Sequence, residues 1–193
     1  MLVVIEGADQ AGKKTQTALL AKALRAKKLK TKTFSFPDYS TPIGKEIKKY
    51  LNGKRKFPPQ VIHCLLAANR WEKIDEIKKA LATNTIIIMN RYYQSNLVYG
   101  KVNGLEMDWL VNLDAGLPKS DIVIVLDVNT KESFHRKKSK RDKFEKDKNF
   151  YQKISNTYRE LAKKENWILV NASDSKDTVH RSIINIIFKK LRL

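Results

Sequence analysis

The sequence predicts an α/β domain with a doubly wound, five-stranded parallel sheet flanked by helices, and three observations carry that expectation. First, four short apolar runs, Leu2–Ile5, Thr85–Met89, Ile122–Leu126 and Trp167–Val170, have the length and continuity of strands buried on both faces. A fifth run, Thr31–Phe36, alternates β-branched and aromatic residues. Second, helical patterns separate these runs, giving the order β-α-β-α-β-α-β-α-β-α. Third, Gly7-Ala8-Asp9-Gln10-Ala11-Gly12-Lys13-Lys14-Thr15 lies between the first run and the first helix, with the G-x-x-x-x-G-K spacing of a P-loop. Together they predict a P-loop NTPase type of fold. Its ligands gather beyond the carboxyl ends of the strands, so the residues just after each strand matter most.

Composition sets the outer limits. The 193 residues suit one domain spanning 1–193, and 42% hydrophobic with 31% charged residues is a globular balance. No apolar run approaches the ~20 residues that would span a bilayer, so no membrane partner is expected. Met1-Leu2-Val3-Val4-Ile5-Glu6 enters a strand directly, without the basic head of a signal peptide. A single cysteine, Cys64, excludes an intrachain disulfide. A cytoplasmic location is the expectation. The net charge of +19 is compatible with polyanion binding. The lysines are spread along the whole chain with few aromatics among them, which favours a solvated surface over a specific nucleic-acid partner.

Each element then has its reason. In the first βα turn, Gly7 and Gly12 let the backbone curl so that successive N–H groups point at phosphate oxygens. The positive end of the helix through Ala18–Leu24 adds to that field, and Lys13 reaches the outer phosphates. A purely structural glycine-rich turn is the competing explanation. The motif calls for Ser or Thr directly after the lysine, to hold Mg²⁺. Here that residue is Lys14, and Thr15 comes one residue late, rotated by about 100° around the helix.

After the second strand, Phe36-Pro37-Asp38-Tyr39-Ser40-Thr41-Pro42-Ile43-Gly44 is a loop punctuated by prolines. A helix follows through Ile47 and Leu51, then a break from Gly53 to Pro59. One long helix is expected to carry Leu65–Glu72 and run on to Leu81. Asn90-Arg91-Tyr92-Tyr93-Gln94-Ser95-Asn96 follows the third strand, and a polar crossover with Trp109 leads through Gly116-Leu117-Pro118-Lys119 to the fourth. The final helix, Val179–Leu191, is amphipathic and closes the sheet.

Several of these strings, in this order and spacing, resemble the thymidylate kinase family of P-loop nucleoside monophosphate kinases. They are Glu6-Gly7-x-Asp9 with Gly12-Lys13 and Thr15-Gln16, Phe36-Pro37, Ala68-Asn69-Arg70-Trp71-Glu72, Arg91-Tyr92, and Gly116-Leu117-Pro118-Lys119 before Asp121. The resemblance runs nearly the full length of the chain. It implies transfer of the γ-phosphate of ATP to dTMP, with Mg²⁺ accompanying ATP, in a homodimer packed through helices that include the one carrying Leu65 and Arg70.

The resemblance also implies roles. The loop Gly7 to Thr15, including Ala8, Gln10 and Ala11, holds ATP, with Lys13 on its phosphates. Arg70 holds the dTMP phosphate and Arg91 bridges acceptor and transferred phosphate, roles that guanidinium forks suit. Salt bridges on a helix surface and in a loop are the alternatives. Asp9 takes the deoxyribose 3′-hydroxyl, or is an exposed turn aspartate. Ser95 and Asn96 read the pyrimidine edge. Tyr99 crowds the 2′ position, with a core tyrosine as the other explanation. Phe36 and Pro37 line the acceptor side. Asn171 and Ala172 lie beside adenine, unless that turn is merely a strand end.

Four positions depart from the family pattern. Leu66 replaces a base-stacking phenylalanine, and Tyr39 stands where many relatives carry an arginine, with Lys45 as a partial substitute. Asn90 replaces the aspartate before the arginine, and with Lys14 it removes two features that seat the metal. Either ATP and water hold Mg²⁺, or an ammonium supplies part of its charge, or the enzyme is weakened. The stretch Lys131 to Lys148, with nine basic and four acidic residues, matches the family's lid, at about 134–149. A charge run is otherwise a solvated face. With Gln10 in the P-loop, the lid cations Arg136, Arg141 and Lys143 become the catalytic candidates. A relaxed pyrimidine (deoxy)nucleotide kinase and a weakened nucleotide-binding homologue are the alternative functions. His63, His135 and His180 have no paired ligand spacing and receive no role.

Overall fold

The computed structural model describes residues 1–128 and 148–192. Five strands, β1 (Leu2–Glu6), β2 (Thr31–Ser35), β3 (Ile86–Asn90), β4 (Ile122–Asp127) and β5 (Ile168–Asn171), form one sheet in the order β2-β3-β1-β4-β5. All four pairings are parallel. Eight helices are described: α1 (Lys13–Ala26), α2 (Pro42–Leu51), α3 (Pro59–Trp71), α4 (Ile74–Ala82), α5 (Tyr93–Val102), α6 (Met107–Leu113), α7 (Lys148–Lys164) and α8 (Lys176–Leu191).

The alternation of side chains along each strand sorts the core into two layers. Val3, Ile5, Ile88, Ile124 and Leu126 point to the face covered by α1 and α8, through Leu20, Leu24, Ile183 and Ile187. Leu2, Val4, Met89 and Val125 point to the opposite face, against Ile77, Val98, Tyr158 and Leu161. Fully burying one such side chain stabilises the fold by roughly 1.5–3 kcal/mol. A smaller cluster, Ile47, Tyr50 and Ile62, joins α2 to α3 beside the proline loop.

β1 lies between β3 and β4, so its carboxyl end opens where the chain connections diverge to either side. The register sets Ile5 opposite Asn90 and Glu6 opposite Val125, which brings the P-loop beside Arg91. Gly7 has φ +138°, and a Cβ there would stand 2.6 Å from the Leu126 carbonyl oxygen. The turn therefore needs glycine.

Three expectations require correction. The helix expected to run to Leu81 breaks after Trp71. Lys73 N–H bonds the Arg70 carbonyl at 3.1 Å, and Lys73 (φ −108°, ψ 6°) opens α4. The polar crossover before β4 contains α5 and α6; their apolar residues Leu97, Val98 and Leu110 pack in the core although their polar residues obscure the period. The run 167–170 is not buried on both faces. β5 pairs only with β4, and Ile168 and Leu169 are 38% and 45% exposed.

Candidate active site

The P-loop leaves β1 at Glu6 and enters α1 through Gly12, whose φ of +90° makes the left-handed turn into the helix. Lys13 is buried. Its ammonium donates to the carbonyls of Gly7 (2.9 Å) and Ala8 (2.7 Å) and lies 3.9 Å from the Asp9 carboxylate. Lys14 and Thr15 are exposed on the first turn of α1. A cleft is lined by Gln10, Gly12, Lys13, Lys14, Thr15 and, from across the sheet, Ser35, Phe36, Pro37, Tyr39, Asn90 and Arg91.

Beside the P-loop, at the end of β3, the chain builds a tight polar cluster. Arg91 follows β3 with φ +65°, a conformation that ordinary side chains adopt only when their surroundings hold it. Its N–H bonds the Ile5 carbonyl at 3.1 Å. Its guanidinium pairs with Asp9 and reaches Ser95 Oγ (3.0 Å), Tyr99 Oη (3.3 Å) and Tyr158 Oη (3.4 Å). Tyr99 Oη donates to Asp9 at 3.0 Å. Burial works to raise the Asp9 pKa; Arg91, Lys13 and the Tyr99 hydrogen bond outweigh it and hold the carboxyl below its ordinary value. Burial pushes the Tyr99 and Tyr158 phenols well up.

Glu6 underlies this cluster, fully buried at the end of β1. It accepts from Tyr92 N–H (2.8 Å), Ser95 N–H (3.1 Å), Ser95 Oγ (2.7 Å) and Tyr158 Oη (2.8 Å). Tyr92 caps α5 without a side-chain bond of its own, so Glu6 satisfies the helix amides from outside and suits their positive end. Tyr151, two turns before Tyr158 on α7, donates to the Asp9 carbonyl at 3.0 Å.

A pocket opens from this cluster, lined by Asp9, Phe36, Pro37, Tyr39, Leu66, Arg70, Arg91, Ser95, Asn96 and Tyr99, with Ile47, Leu51, Ile62, His63 and Tyr92 behind them. Arg70 is 2% exposed, and Asp114 holds its Nε and Nη2 in a bidentate pair at 2.8 and 2.7 Å. His63 Nδ1 lies 2.6 Å from Asn96 Oδ1, Asn96 Nδ2 donates to the His63 carbonyl at 3.3 Å, and His63 Nε2 lies 3.1 Å from Asn103 Nδ2. These contacts suit a neutral imidazole with its proton on Nδ1, and burial lowers its pKa. Asn69 accepts from Asp38 N–H (2.7 Å) and donates to Thr41 Oγ1 and Glu72 (both 2.8 Å), fixing the proline loop that carries Tyr39.

The structure thus brings together every acceptor-side residue singled out in the sequence. Lys45 lines neither cleft. Asn171 and Ala172 also stand apart from both: Ala172 N–H bonds the Asp127 carbonyl at 2.7 Å, and Asn171 Oδ1 accepts from Ser173 N–H at 3.1 Å. Arg136, Arg141 and Lys143, with most of the expected lid, lie outside the described residues. Sequence reasoning missed the structural parts played by Glu6, Asp114, Tyr151 and Tyr158. The seven-residue spacing of the two tyrosines on one helix face was a readable signal; the Arg70–Asp114 pair, 44 residues apart, left none.

Among the described residues no group of three or more His, Cys, Asp or Glu side chains could hold a metal ion. The P-loop cleft offers Asn90 Oδ1, buried and without a hydrogen-bond partner, and the hydroxyls of Ser35 and Thr15, but no carboxylate among the residues that line it. Mg²⁺ is commonly bound through one or two carboxylates together with phosphates and water. The described residues do not fit a magnesium ion held by the protein.

The thymidylate kinase family profile matches residues 5–183. The chain is 36% identical to thymidylate kinase of Schizosaccharomyces pombe, over 96% of this chain and 90% of that protein. It is 33% identical to thymidylate kinase of Dictyostelium discoideum, over 100% of this chain and 88% of the other. The solved structure of thymidylate kinase from Candida albicans superposes with a TM-score of 0.88 at 31% identity, covering 98% of this chain and 91% of that one.

Proposed function

The chain belongs to the thymidylate kinase family, and from that premise we propose how its own residues carry out ATP-dependent phosphorylation of dTMP to dTDP. One observation carries the reading: Phe36, Pro37, Tyr39 and Arg91 line both the P-loop cleft and the acceptor pocket, so the two meet at a guanidinium. Phosphoryl transfer needs two polyanions in line while developing charge is neutralised, and the junction of these clefts suits that geometry.

Lys13 and the amides from Ala8 to Thr15 hold the donor phosphates. Binding draws the Lys13 ammonium from the loop carbonyls that it bonds without ligand. Arg91 spans the acceptor phosphate and the transferred group, with Asp9, Tyr99 and Ser95 fixing its fork. Asp9 stays ionised and accepts from the sugar 3′-hydroxyl, and Tyr99 crowds the 2′ position. Arg70 offers its remaining Nη1 to the dTMP phosphate. Its pairing with Asp114 makes that contact directional rather than a net positive charge. Asn96 reads the pyrimidine edge with the lone pair and N–H that His63 leaves it, beside the Ser95 hydroxyl and under Leu66. By family resemblance, Arg136, Arg141 and Lys143, which lie outside the described residues, are the further cations for the donor phosphates, and Asn171 and Ala172 are the adenine contacts. Magnesium would arrive as its complex with ATP, where it would offset part of the triphosphate charge.

A homodimer packed through helices that include α3 follows from the same reading. Val61 on α3 is a large apolar side chain left 41% exposed, which suits an interface on that helix. No described helix is long and apolar enough to cross a membrane. A cytoplasmic location and the lack of a specific nucleic-acid partner complete the proposal.

The test is Arg91→Ala, assayed with ATP and dTMP. Losing one preorganised charge on the transferred group should lower kcat by at least about 10²-fold while ATP still binds. Turnover close to wild type would remove Arg91 from the reaction.

A further inference from the structure

At the start of α1, Lys13 and Lys14 are consecutive cations on the positive end of the helix, and no acidic side chain lies in the first turn. Like charges placed there destabilise a free helix, so an anionic ligand is the natural compensation. Lys14 is exposed on the donor cleft and makes no ion pair or hydrogen bond with a described residue. The same cleft is lined at the end of β3 by the neutral Asn90, whose Nδ2 donates to Ser35 Oγ at 3.3 Å and whose Oδ1 has no partner. The charged groups lining the cleft are therefore Lys13, Lys14 and Arg91, with Asp9 already paired to Lys13 and Arg91.

We infer that Lys14 replaces protein-bound metal as the outer counter-charge for the donor triphosphate, so that this chain binds metal-free ATP about as well as it binds magnesium–ATP. The inference rests on the donor-site reading above. Metal-free ATP carries more negative charge than its magnesium complex and gains more from an added ammonium. The magnesium complex gains from a carboxylate and a hydroxyl, neither of which stands at Asn90 or Lys14. Thr15 also lines the cleft, but its side chain starts about 100° around the helix from position 14 and so does not take that residue's place.

Calorimetric titration of the full chain decides this, with ATP in excess EDTA and ATP in excess Mg²⁺ as the two ligands. The wild-type dissociation constants should agree within about threefold. Lys14→Ser removes one charge-assisted contact and should weaken metal-free ATP about tenfold or more, while magnesium–ATP, which loses an ammonium but gains a hydroxyl, should weaken far less or tighten. Lys14→Arg, which keeps the charge, should retain the wild-type ratio. A wild-type chain that prefers magnesium–ATP by tenfold or more overturns the inference, as does a ratio that Lys14→Ser leaves unmoved. If neither form binds, the donor-site reading fails, and this inference falls with it.

Discussion

Arg91 occupies a left-handed backbone conformation that costs of order 1–3 kcal/mol for a residue other than glycine. The surrounding structure over-determines it through the Ile5 carbonyl on the main chain and four side chains around the guanidinium. Its position after a central strand made it visible in the sequence, but the backbone strain and the partners did not, because they come from β1, α5 and α7. Arg70 presents the opposite case. Its guanidinium is buried and needs Asp114, so Asp114→Asn leaves a buried charge without its counter-ion. The expected cost is about 3–5 kcal/mol, read from the midpoint of chemical denaturation. A loss below 1 kcal/mol would mean that solvent or another group compensates Arg70.

At the scale of elements, the string Ala68-Asn69-Arg70-Trp71-Glu72 works as a fastening. Asn69 and Glu72 bind the proline loop, Arg70 binds Asp114, and Trp71 Nε1 donates to the Leu113 carbonyl at 3.2 Å. The helix ends there, and Lys73 turns toward Asp38 at 3.2 Å. Periodicity continued past this point, which is why the break escaped the sequence reading: the turn is imposed by tertiary partners, not by Gly or Pro. Glu6 joins β1 to α5 and α7 in the same manner. Glu6→Gln keeps the volume but places an amide donor among four hydrogen-bond donors. About 2–3 kcal/mol of stability should be lost, measured by denaturant unfolding. An unchanged midpoint would show that Glu6 does not bind the helix start. Its burial was illegible because a carboxylate ending an apolar run reads equally well as the edge of the strand.

At the scale of the whole molecule, the five-stranded parallel sheet was legible from features the sequence displays plainly, whereas the strand order β2-β3-β1-β4-β5 comes from the structure alone. Apolar runs of strand length, helical spacing between them and a phosphate-type turn all agreed, which is the consistency a doubly wound fold requires. The edge character of β5 was not visible, since its residues are as apolar as those of the central strands and only their neighbours differ. The site follows from the topology. β1 between β3 and β4 brings the P-loop and Arg91 to one crevice, and α3 with the proline loop walls the pocket beyond it. In the proposed reaction, phosphate passes across Arg91 from a nucleotide on Lys13 to a thymidine monophosphate in that pocket. The most direct measurement follows dTDP formation from ATP by the wild-type chain and by Lys13→Ala, with dTMP and its ribose counterpart as acceptors. The wild-type chain should turn over dTMP in preference to the ribose form, and Lys13→Ala should lower kcat by about 10²-fold or more without loss of fold. Equal turnover of both acceptors would contradict the pocket as described, and near-wild-type activity of Lys13→Ala would contradict the proposed reaction itself.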